Sequence, residues 1–422
     1  MSTNAAAAKE EAVLSGRRIA FVPFGCKVSQ IEARAAAAAL GESATASIAE
    51  AGTVVLHGCA VTDRAVRDQR RFLCRLRREN PGTTIVLAGC LARSGPGTLA
   101  RLPAVDFVDA TPAEARGVLA ATFPDGERTR AFLKVQDGCG RRCAFCIVPT
   151  LRGAEQSARP EEVEREIRRL GAAGVPEVVL AGVHLANFGK DLGSSLLALL
   201  GHLEEDPPLC RVRLSSLEPM EAGEALVSFV ARSRVVVPHL HLPLQSGSDA
   251  VLRRMRRGIT ASRFARLASH AALANPRLHL ATDLIAGFPG ETEAEFEETI
   301  RLVRELPFAS LHVFPFSPRA GTPGAALFAE RPVRSAATTR RAAALRALGE
   351  AKARTFRERS SGTTADAIIL RGGIALTDHY LEAALERPLQ PGSRRTVRLA
   401  ACGTDAVLTA SPVAEAGSIS AP

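Results

Sequence analysis

Short apolar runs alternate with helical patterns through the first part of the chain. Three such runs occur between residues 17 and 121, and they read RRIAFVPFGC, GTVVLHGC and TTIVLAGC. Strands that alternate with helices are typical of a parallel sheet covered by helices on both faces. The pattern therefore predicts an N-terminal three-layer parallel α/β domain over residues 17–121.

The strand-then-helix rhythm continues between residues 125 and 352 with six more apolar strands. The segments that carry them are AFLKVQDGC, EVVLAGVH, RVRLSS, PHLHLPLQSGS, LHLATDLIAGFPG and LHVFPFSP. Helical segments such as RPEEVEREIRRLGAAG separate them, with Pro at the helix start and Gly after its end. Six successive βα units predict a partial (β/α)6 barrel, in which chemistry takes place at the carboxyl ends of the strands. A flat doubly wound sheet is the alternative that the pattern leaves open.

The pattern changes again after a helix rich in Arg and Ala. Residues 356–417 contain the strand-like segments ADAIIL, ALTDHYLEAAL and RRTVRLAAC, separated by Gly and Pro turns. Short strands with such turns predict a small β-barrel of the kind that often binds RNA. The first 16 residues and the closing AEAGSISAP are expected to be tails.

Charge and cysteine content narrow the class of protein. The 422 residues include 54 Lys and Arg against 44 Asp and Glu, a net charge of +10 that favours a polyanionic partner. No apolar stretch approaches the ~20 residues that span a bilayer, and the opening MSTNAAAAKEEAVLSG does not read as a signal peptide. We therefore expect a cytoplasmic protein with no membrane partner. Thiols stay reduced there, so grouped cysteines indicate metal binding rather than disulfides.

Three cysteines follow glycines at the ends of the first three predicted strands. They are Cys26, Cys59 and Cys90, here called the N-terminal triad. Because the ends of parallel strands share one edge of a sheet, the three thiolates are expected to converge in one crevice. The preceding glycines allow a tight turn. Three buried small hydrophobes are the alternative. Cys74, Cys210 and Cys402 show no such pattern, and we expect them to be packing residues.

A second group lies in the segment DGCGRRCAFCIVPTLRG, at the end of the first barrel strand. It consists of Cys139, Cys143 and Cys146, here called the loop triad. A structural zinc site needs four protein ligands, and this loop offers three. Thiolates suit a four-iron cluster, and three of them leave one iron open. S-adenosylmethionine can chelate an open iron, and an electron from the cluster then yields a 5′-deoxyadenosyl radical. A disulfide knot, a zinc knuckle and a buried cluster are the alternatives.

From residue 18 to residue 413 the chain resembles the radical S-adenosylmethionine tRNA methylthiotransferases. FGCKVSQIEAR, GCAVTDRAVRDQRRFLCRLRRENP and VLAGCLA resemble the N-terminal domain of that family. Its radical domain is similar to VQDGCGRRCAFCIVPTLRG, RLSSLEP, HLHLPLQSGSDAVLRRMRRGIT, DLIAGFPGETEAEFEET and LHVFPFSPRAGTP, and its TRAM RNA-binding module to the C-terminal barrel. GCKVSQ and LHVFPFSPRAGTP are most similar to the branch that acts on N6-threonylcarbamoyladenosine beside the anticodon. Ser29 in place of Asn, and LHGC in place of NTC, depart from the family pattern.

The resemblance implies an enzyme with two four-iron, four-sulfur (4Fe-4S) clusters and S-adenosylmethionine as cofactors. The cluster on the N-terminal triad would carry the sulfur to be inserted, and the loop triad, which we expect to be catalytic, would hold the radical-generating cluster. The implied partners are tRNA, an external electron donor and a sulfur source, but not DNA. The alternatives are the same chemistry on isopentenyladenosine in tRNA or on a ribosomal protein aspartate, and a non-catalytic iron-sulfur RNA-binding protein.

Phe145, just before the last cysteine of the loop, is a candidate cofactor-binding residue that would pack on the adenine of S-adenosylmethionine. Other candidates lie at or near the ends of predicted strands that face the expected radical site, and they are Gly182, Ser216, Glu218, Gln245 and Gly287. Groups at strand ends in such folds often hold a ligand, and a turn, cap or core role is the alternative.

The candidate RNA-binding residues are arginines spaced three or four apart, which places them on one helix face. They are Arg64, Arg67, Arg71, Arg75 and Arg78, and a solvated amphipathic face is the alternative. A second basic group comprises Arg253, Arg254, Arg256 and Arg257. With no Trp and one Tyr, phosphate contacts rather than base stacking are expected to dominate RNA affinity.

Overall fold

The computed structural model describes residues 18–41, 45–100, 102, 105–109, 117–123, 129–403 and 407–413. Both expected tails lie outside the described residues, as do residue 17, residue 125 and residues 414–417 at the predicted domain limits. Among the described residues, no helix combines the length and the apolar character that crossing a membrane requires.

The N-terminal domain contains a four-stranded sheet in the order β1-β2-β3-β4, and every pairing in it is parallel. Its strands are β1 (Ile19–Pro23), β2 (Thr53–Gly58), β3 (Thr84–Ala88) and β4 (Phe107–Val108). Its helices are α1 (Lys27–Leu40), α2 (Asp63–Glu79), α3 (Gly89–Ala92) and α4 (Pro96–Leu99). The predicted parallel α/β domain is confirmed, because every pairing in its sheet is parallel and Val54 and Leu56 of β2 pack in one core with Leu73 and Leu76 of α2.

Two helices of this domain matter for the site. In α2, Leu73 and Leu76 pack into the core while the arginine face points outward. Helix α1 lies between the N-terminal sheet and the next domain, where Ile31 packs against Phe132 and Val179. Sequence patterning predicted these helices but not that α1 would join two domains.

The central domain contains six parallel strands, as predicted. They are β6 (Ala131–Asp137), β8 (Glu177–Gly182), β9 (Arg211–Leu214), β10 (His239–His241), β11 (His279–Ala286) and β12 (Ser310–Pro315). Two short antiparallel strands that the sequence did not reveal pair with β6, namely β5 (Ala120–Thr122) and β7 (Gln156–Ser157). Backbone hydrogen bonds from Val212 N–H to Val235 O and from Val237 N–H to Val212 O join the β9 sheet to the β10 sheet. This arrangement is the predicted partial barrel.

Helices cover the outside of this barrel and bury the side chains of alternate strand positions. They are α5 (Val148–Arg152), α6 (Pro160–Ala172), α7 (Leu196–Glu205), α8 (Pro219–Arg232), α9 (Asp249–Arg254), α10 (Ala261–Ala274), α11 (Glu293–Glu305), α12 (Pro323–Glu330) and α13 (Ser335–Ser360). Leu133 and Val135 of β6 belong to the helix-facing core, whereas Phe132 packs on the other side of the strand. Both faces of β6 are buried, which explains its continuous apolar run.

The C-terminal domain is a closed five-stranded barrel in the order β13-β14-β15-β17-β16, which confirms the predicted small β-barrel. Its strands are β13 (Thr364–Leu370), β14 (Ile374–Thr377), β15 (Glu382–Leu385), β16 (Arg394–Cys402) and β17 (Val407–Pro412). Its interior is filled by small and branched side chains such as Ala367, Ile369 and Val397.

Buried charges attach this barrel to the amino-terminal ends of the central strands. Arg211 and Arg213 both donate hydrogen bonds to the fully buried carboxylate of Glu177, at 2.8 Å. They also donate to the barrel carbonyls of Leu376 and Thr377, at 3.1 Å each. The cysteine loop follows the opposite, carboxyl end of β6, so the barrel and the loop triad lie at different ends of the central domain.

Candidate active site

The N-terminal triad lies along one edge of the N-terminal sheet. Strands β1, β2 and β3 pair in register, so their carboxyl ends coincide, and one cysteine follows each end. Cys26 is exposed, whereas Cys59 and Cys90 are buried. The three thiols are close enough that Cys26 and Cys90 both influence the pKa of Cys59.

The glycines before these cysteines make room for the neighbouring strand ends. Gly25 has a φ of +105°, and a Cβ there would lie 2.5 Å from Cβ of Cys59 and 2.9 Å from its sulfur. A Cβ on Gly58 would lie 2.6 Å from Cβ of Leu91. Gly25 is therefore required both by its backbone conformation and by the close approach of Cys59.

Helix α2 holds the middle cysteine in place. The buried side chain of Gln69 accepts a hydrogen bond from Cys59 N–H at 2.8 Å and donates one to Cys59 O at 2.8 Å. The buried face of the helix thus fixes the position of Cys59 while the arginines occupy its exposed face. Nothing in the local sequence marks Gln69, because its partner is a backbone group in another element.

Burial is the main influence on the thiols of the N-terminal triad. Burial, with a smaller contribution from the neighbouring thiols of Cys26 and Cys90, outweighs a backbone hydrogen bond and raises the pKa of Cys59 to about 11. Burial also raises the pKa of Cys90. Metal ligation replaces thiol protons, so this crevice suits a soft metal centre that binds thiolates.

The loop triad is shaped by the turn that follows β6. Gly138 has a φ of +72°, and a Cβ there would lie 1.8 Å from Ala154 O, so a side chain at this position is excluded. Cys139 N–H donates to Gly153 O at 3.2 Å, and Cys146 N–H donates to Cys143 O at 3.0 Å. The loop closes on itself and brings its three cysteines together.

Charged groups surround this loop. Burial raises the pKa of Cys146 to about 12, and the neighbouring Cys143 and Cys139 add to the effect. Nδ1 of His184 lies 3.8 Å from the sulfur of Cys139 and 2.6 Å from the carboxylate of Glu155. Burial opposes the charge on His184, but hydrogen bonds with Cys139 and the nearby carboxylates raise its pKa to about 10. Sequence reasoning missed this histidine, whose spacing from the loop gives no signal.

The number of thiolates distinguishes a cluster from a structural zinc ion. A structural zinc site takes four protein ligands, and each triad supplies three cysteines. Other polar groups also come together here: the candidate ligand atoms of Cys139, Glu155 and His184 lie within 4.8 Å of one another, as do those of His241, Asp283 and His312. Three thiolates in each triad fit a four-iron cluster better than one structural zinc ion.

A cavity of about 210 Å³ lies between the N-terminal and central domains. The N-terminal domain contributes Val61 and Thr62, which follow Cys59 and Ala60, and the central domain contributes Cys146 of the loop triad together with its neighbours and the strand ends. Its lining comprises Val61, Thr62, Phe145, Cys146, Ile147, Gln245, Asp283, Ile285, Phe314, Pro315, Phe316 and Ser317. An apolar lining with a few polar groups is typical of a small-molecule site.

The predicted cofactor-binding residues occupy different surroundings. Phe145 and Gln245 line the cavity together with Cys146. Gln245 has a φ of +75°, and its backbone pairs with Asp283 and Ile285. Strain of this kind at a non-glycine residue is often found at ligand sites.

The remaining four lie at strand ends. Gly182 ends β8, where a Cβ would lie 3.0 Å from Gln136. Ser216 shares a 2.7 Å hydrogen bond with Nδ1 of His241. Gly287 N–H donates to Glu291 at 2.9 Å. Glu218 forms a two-pronged ion pair with Arg257, at 2.7 and 2.6 Å.

This last pair corrects the second predicted basic group. Arg257 is buried against Glu218 and Pro243 O, and Arg254 pairs with Glu295. They do not form one exposed basic surface, because carboxylates distant in sequence fold against them. The expectation for the isolated cysteines is also partly wrong, since Cys210 is buried but Cys74 is exposed. The side chain of Cys402 lies outside the described part of the chain.

A histidine–aspartate network inside the barrel was missed by the sequence reasoning. Asp283 accepts from Nε2 of His241 at 2.8 Å and from Nδ1 of His312 at 3.2 Å. Burial opposes ionisation of Asp283, but the hydrogen bonds from both histidines outweigh it and lower its pKa. The signal in the sequence was polar residues at alternate positions of otherwise apolar strands.

All five predicted RNA-binding arginines, Arg64, Arg67, Arg71, Arg75 and Arg78, are exposed on α2. Their only ion pairs among the described residues are long ones of 3.6 to 4.0 Å to Asp68 and Glu79. Thr62 caps the helix through Ala65 N–H and also lines the cavity. The arginine face therefore begins beside the cavity.

The barrel and its cysteine loop define a radical S-adenosylmethionine enzyme. Residues 133–303 match the Radical SAM superfamily, and residues 18–109 match Uncharacterized protein family UPF0004. A solved radical S-adenosylmethionine methyltransferase, TsrM of Kitasatospora setae, superposes with a TM-score of 0.46 at 16% identity, over 67% of this chain and 68% of that one.

Curated relatives specify the family within this class. The threonylcarbamoyladenosine tRNA methylthiotransferase MtaB of Thermotoga maritima is 34% identical over 71% of this chain and 75% of its own length. A tRNA-2-methylthio-N(6)-dimethylallyladenosine synthase of Chromobacterium violaceum is 32% identical over 82% of this chain and 86% of its own. The chain belongs to the radical S-adenosylmethionine tRNA methylthiotransferase family, whose cofactors are two 4Fe-4S clusters and S-adenosylmethionine.

Proposed function

We propose that the protein adds a methylthio group to C2 of N6-threonylcarbamoyladenosine next to the anticodon of tRNA. The observation that carries this proposal is the cavity shared by the two cysteine-bearing domains. A reaction that joins a radical step to sulfur insertion needs both centres at one substrate position. The cavity has residues that follow Cys59 on one side and Cys146 on the other.

The target atom explains why a cofactor is needed. C2 of an adenine is an aromatic C–H that is neither acidic nor a good electrophile, so acid–base or nucleophilic catalysis has little effect on it. When bound, the cofactors supply a 5′-deoxyadenosyl radical, a methyl group and the sulfur to be inserted.

The protein's own residues have distinct roles in this proposal. Cys139, Cys143 and Cys146 hold the radical-generating cluster, and Cys26, Cys59 and Cys90 hold the sulfur-carrying cluster. Three thiolates leave one iron of each open. Phe145, Ile285 and Phe314 give the cavity an apolar wall against which a base could pack.

S-adenosylmethionine would lie along the strand ends near Gly182, Ser216, Glu218, Gln245 and Gly287. Phe145 and Gln245 are best placed for this role because both share the cavity with Cys146. Glu218 is engaged by Arg257, so it would shape the pocket through that ion pair rather than offer a free carboxylate.

For tRNA, α2 provides a basic path that leads to the cavity. The phosphates on either side of the target base would lie along its arginine face, and the base would leave its stack to enter the site. We place the protein in the cytoplasm, with an external electron donor and a sulfur source as further partners.

The substrate assignment rests on the motifs GCKVSQ and LHVFPFSPRAGTP and on relatives named for threonylcarbamoyladenosine. Isopentenyl-type adenosine is the second candidate, favoured by the synthase of Chromobacterium violaceum. Nucleoside mass spectrometry of tRNA from a strain lacking the gene separates them. We expect loss of the methylthio derivative of threonylcarbamoyladenosine, and loss of only the isopentenyl derivative would overturn the assignment.

A further inference from the structure

A buried arginine touches a cysteine of the N-terminal triad from the other domain. Nε of Arg152 lies 3.3 Å from the sulfur of Cys90, and the arginine side chain is 2% exposed. We propose that Arg152 is a positioning residue that donates a hydrogen bond to the Cys90 thiolate, and that it raises the reduction potential of the N-terminal cluster. The proposal rests on the proposed function only in that Cys90 ligates that cluster.

Both terminal nitrogens of Arg152 donate to carboxylates. Its Nη1 donates to Glu32 at 2.9 Å and to Asp137 at 2.9 Å, and its Nη2 donates to the other oxygen of Glu32 at 3.0 Å. Lys134 contacts the same two carboxylates at 2.9 and 2.8 Å. The guanidinium is held in one orientation, which leaves only Nε directed at the sulfur.

The buried charges around Arg152 balance one another. Arg152 and Lys134 carry two positive charges, and Glu32 and Asp137 carry two negative ones. Burial opposes ionisation of Glu32, yet its contacts with Arg152 and Lys134 outweigh this and lower its pKa. The four-residue network is therefore neutral in itself, and the Nε–H of Arg152 is its donor to the sulfur of Cys90, at 3.3 Å.

The network also crosses the domain boundary. Glu32 of α1 and Cys90 of α3 belong to the N-terminal domain, whereas Lys134 and Asp137 belong to β6. Arg152 ends α5, the helix that directly follows the loop triad. One side chain thus connects the element after one cluster loop to a ligand of the other cluster.

The expected effect follows from electrostatics. A charged N–H donor stabilises a thiolate ligand most when the cluster is reduced and carries more negative charge, so it raises the potential. Removing an outer-shell partner of this kind typically costs 10–100-fold in metal affinity or activity. Lysine at the same position keeps the positive charge but lacks the fixed Nε donor.

The test uses the full chain with Cys139, Cys143 and Cys146 replaced by Ala, so that only the N-terminal cluster assembles. In this background Arg152→Lys should bind about four irons. The ratio of reduced to oxidised cluster at a fixed solution potential should fall about tenfold, equivalent to about 59 mV for one electron. Cluster loss to a chelator should also become faster. An unchanged potential with a folded, iron-loaded variant would overturn the proposal.

Two further variants distinguish a specific change in the reduction potential from a general loosening of the domain interface. Arg93→Lys is the matched control, because Arg93 crosses the same boundary to Leu151 O at 2.8 Å. It should leave the potential unchanged, and an equal shift in this control would overturn the specific role of Arg152. If Arg152→Lys does not fold, Glu32→Gln with Arg152→Gln removes one charge of each sign and should give the same fall in potential.

A spectroscopic measurement on the unsubstituted arginine needs no variant at that site. In the same three-alanine background labelled with nitrogen-15 arginine, the reduced cluster should show a hyperfine coupling to a guanidinium nitrogen. Absence of that coupling would overturn the hydrogen bond. Failure of any of these measurements would leave the proposed function standing, because none of them measures tRNA modification.

Discussion

Val61 of the N-terminal domain and Cys146 of the loop triad line the same cavity, although they belong to different domains. Val61 is 41% exposed, so a larger side chain can be placed there without disturbing the core. The substrate base is proposed to bind in this cavity. A substitution that fills it should therefore separate chemistry from folding.

We expect Val61→Trp to lower methylthio product by at least about tenfold, since displacement of a reacting group by 1 Å can cost about a hundredfold. Iron content and thermal stability should stay close to those of the parent. The matched control is Leu192→Trp, an equally exposed apolar residue outside the cavity lining. Full activity of Val61→Trp would show that the reaction takes place elsewhere.

The loop triad should be the source of the radical. Replacing Cys139, Cys143 and Cys146 by Ala removes all the thiolates of that loop, and an alanine methyl cannot bind iron. Anaerobically reconstituted protein should then hold about four irons instead of about eight. Formation of 5′-deoxyadenosine should stop. Stoichiometric zinc without iron in protein purified under nitrogen would contradict the cluster assignment for both triads.

The arginine face of α2 should contribute to tRNA affinity through phosphates. Replacing Arg67, Arg71 and Arg75 by Glu should weaken binding and flatten its salt dependence, by about 0.7–0.9 in slope for each lost phosphate contact. S-adenosylmethionine cleavage without tRNA should survive.

The control for this prediction reverses Arg165, Arg263 and Arg266, which are exposed on helices of the central domain. It changes the net charge by the same amount, so a general electrostatic effect would lower both slopes equally. If the salt dependence of tRNA affinity is unchanged in the α2 variant, the arginine face contacts solvent and not tRNA.

Acid should weaken the packing between the central domain and the C-terminal barrel. His279 is buried against Phe356 and Tyr380 of that junction. Burial, followed by the nearby His379 and Arg213, lowers the pKa of His279 from 6.5 to about 3. The unfolded chain therefore binds more protons than the fold between those pH values, so stability falls as the pH falls from about 6.5 towards 3.

The measurement is urea unfolding at pH 7.5 and pH 5.5. We expect His279→Leu to reduce the loss of unfolding free energy between pH 7.5 and pH 5.5 by about 1.4 kcal/mol. This is the value for one pH unit below the pKa of histidine in the unfolded chain. His202→Leu, at a residue 65% exposed, is the control and should leave the loss unchanged. An identical pH dependence in His279→Leu and the parent would contradict the buried, neutral histidine.

Much of this fold could be predicted because several of its strands, such as β6 and β9, are buried along their whole length. A strand such as β6 reads as an unbroken apolar run, and the helices between strands carry clear start and stop signals. The Gly-Cys pairs predicted the triad because a glycine before each cysteine leaves room for the neighbouring strand end. A Cβ on Gly25, for example, would lie within 3 Å of the side chain of Cys59.

What the sequence could not reveal depends on partners far apart in the chain. The sequence predicted that Arg257 is part of a basic group, but in the structure it forms an ion pair with Glu218. Nothing in the sequence indicated that Arg152 contacts Cys90. Buried charges are specified by tertiary partners, and a single sequence does not identify them. The hydrogen bond between His241 and Asp283 was not predicted because the two residues lie 42 positions apart on different strands.

The most direct test of the account replaces Cys26, Cys59 and Cys90 together by Ala. The loop triad is the proposed site of radical generation and the N-terminal triad that of sulfur insertion, so only sulfur insertion should be lost. The single assay is simultaneous mass spectrometry of 5′-deoxyadenosine and of methylthiolated nucleoside with tRNA as substrate. We predict that 5′-deoxyadenosine still forms and that the methylthio product is absent. Normal methylthiolation by this variant would contradict the two-centre account.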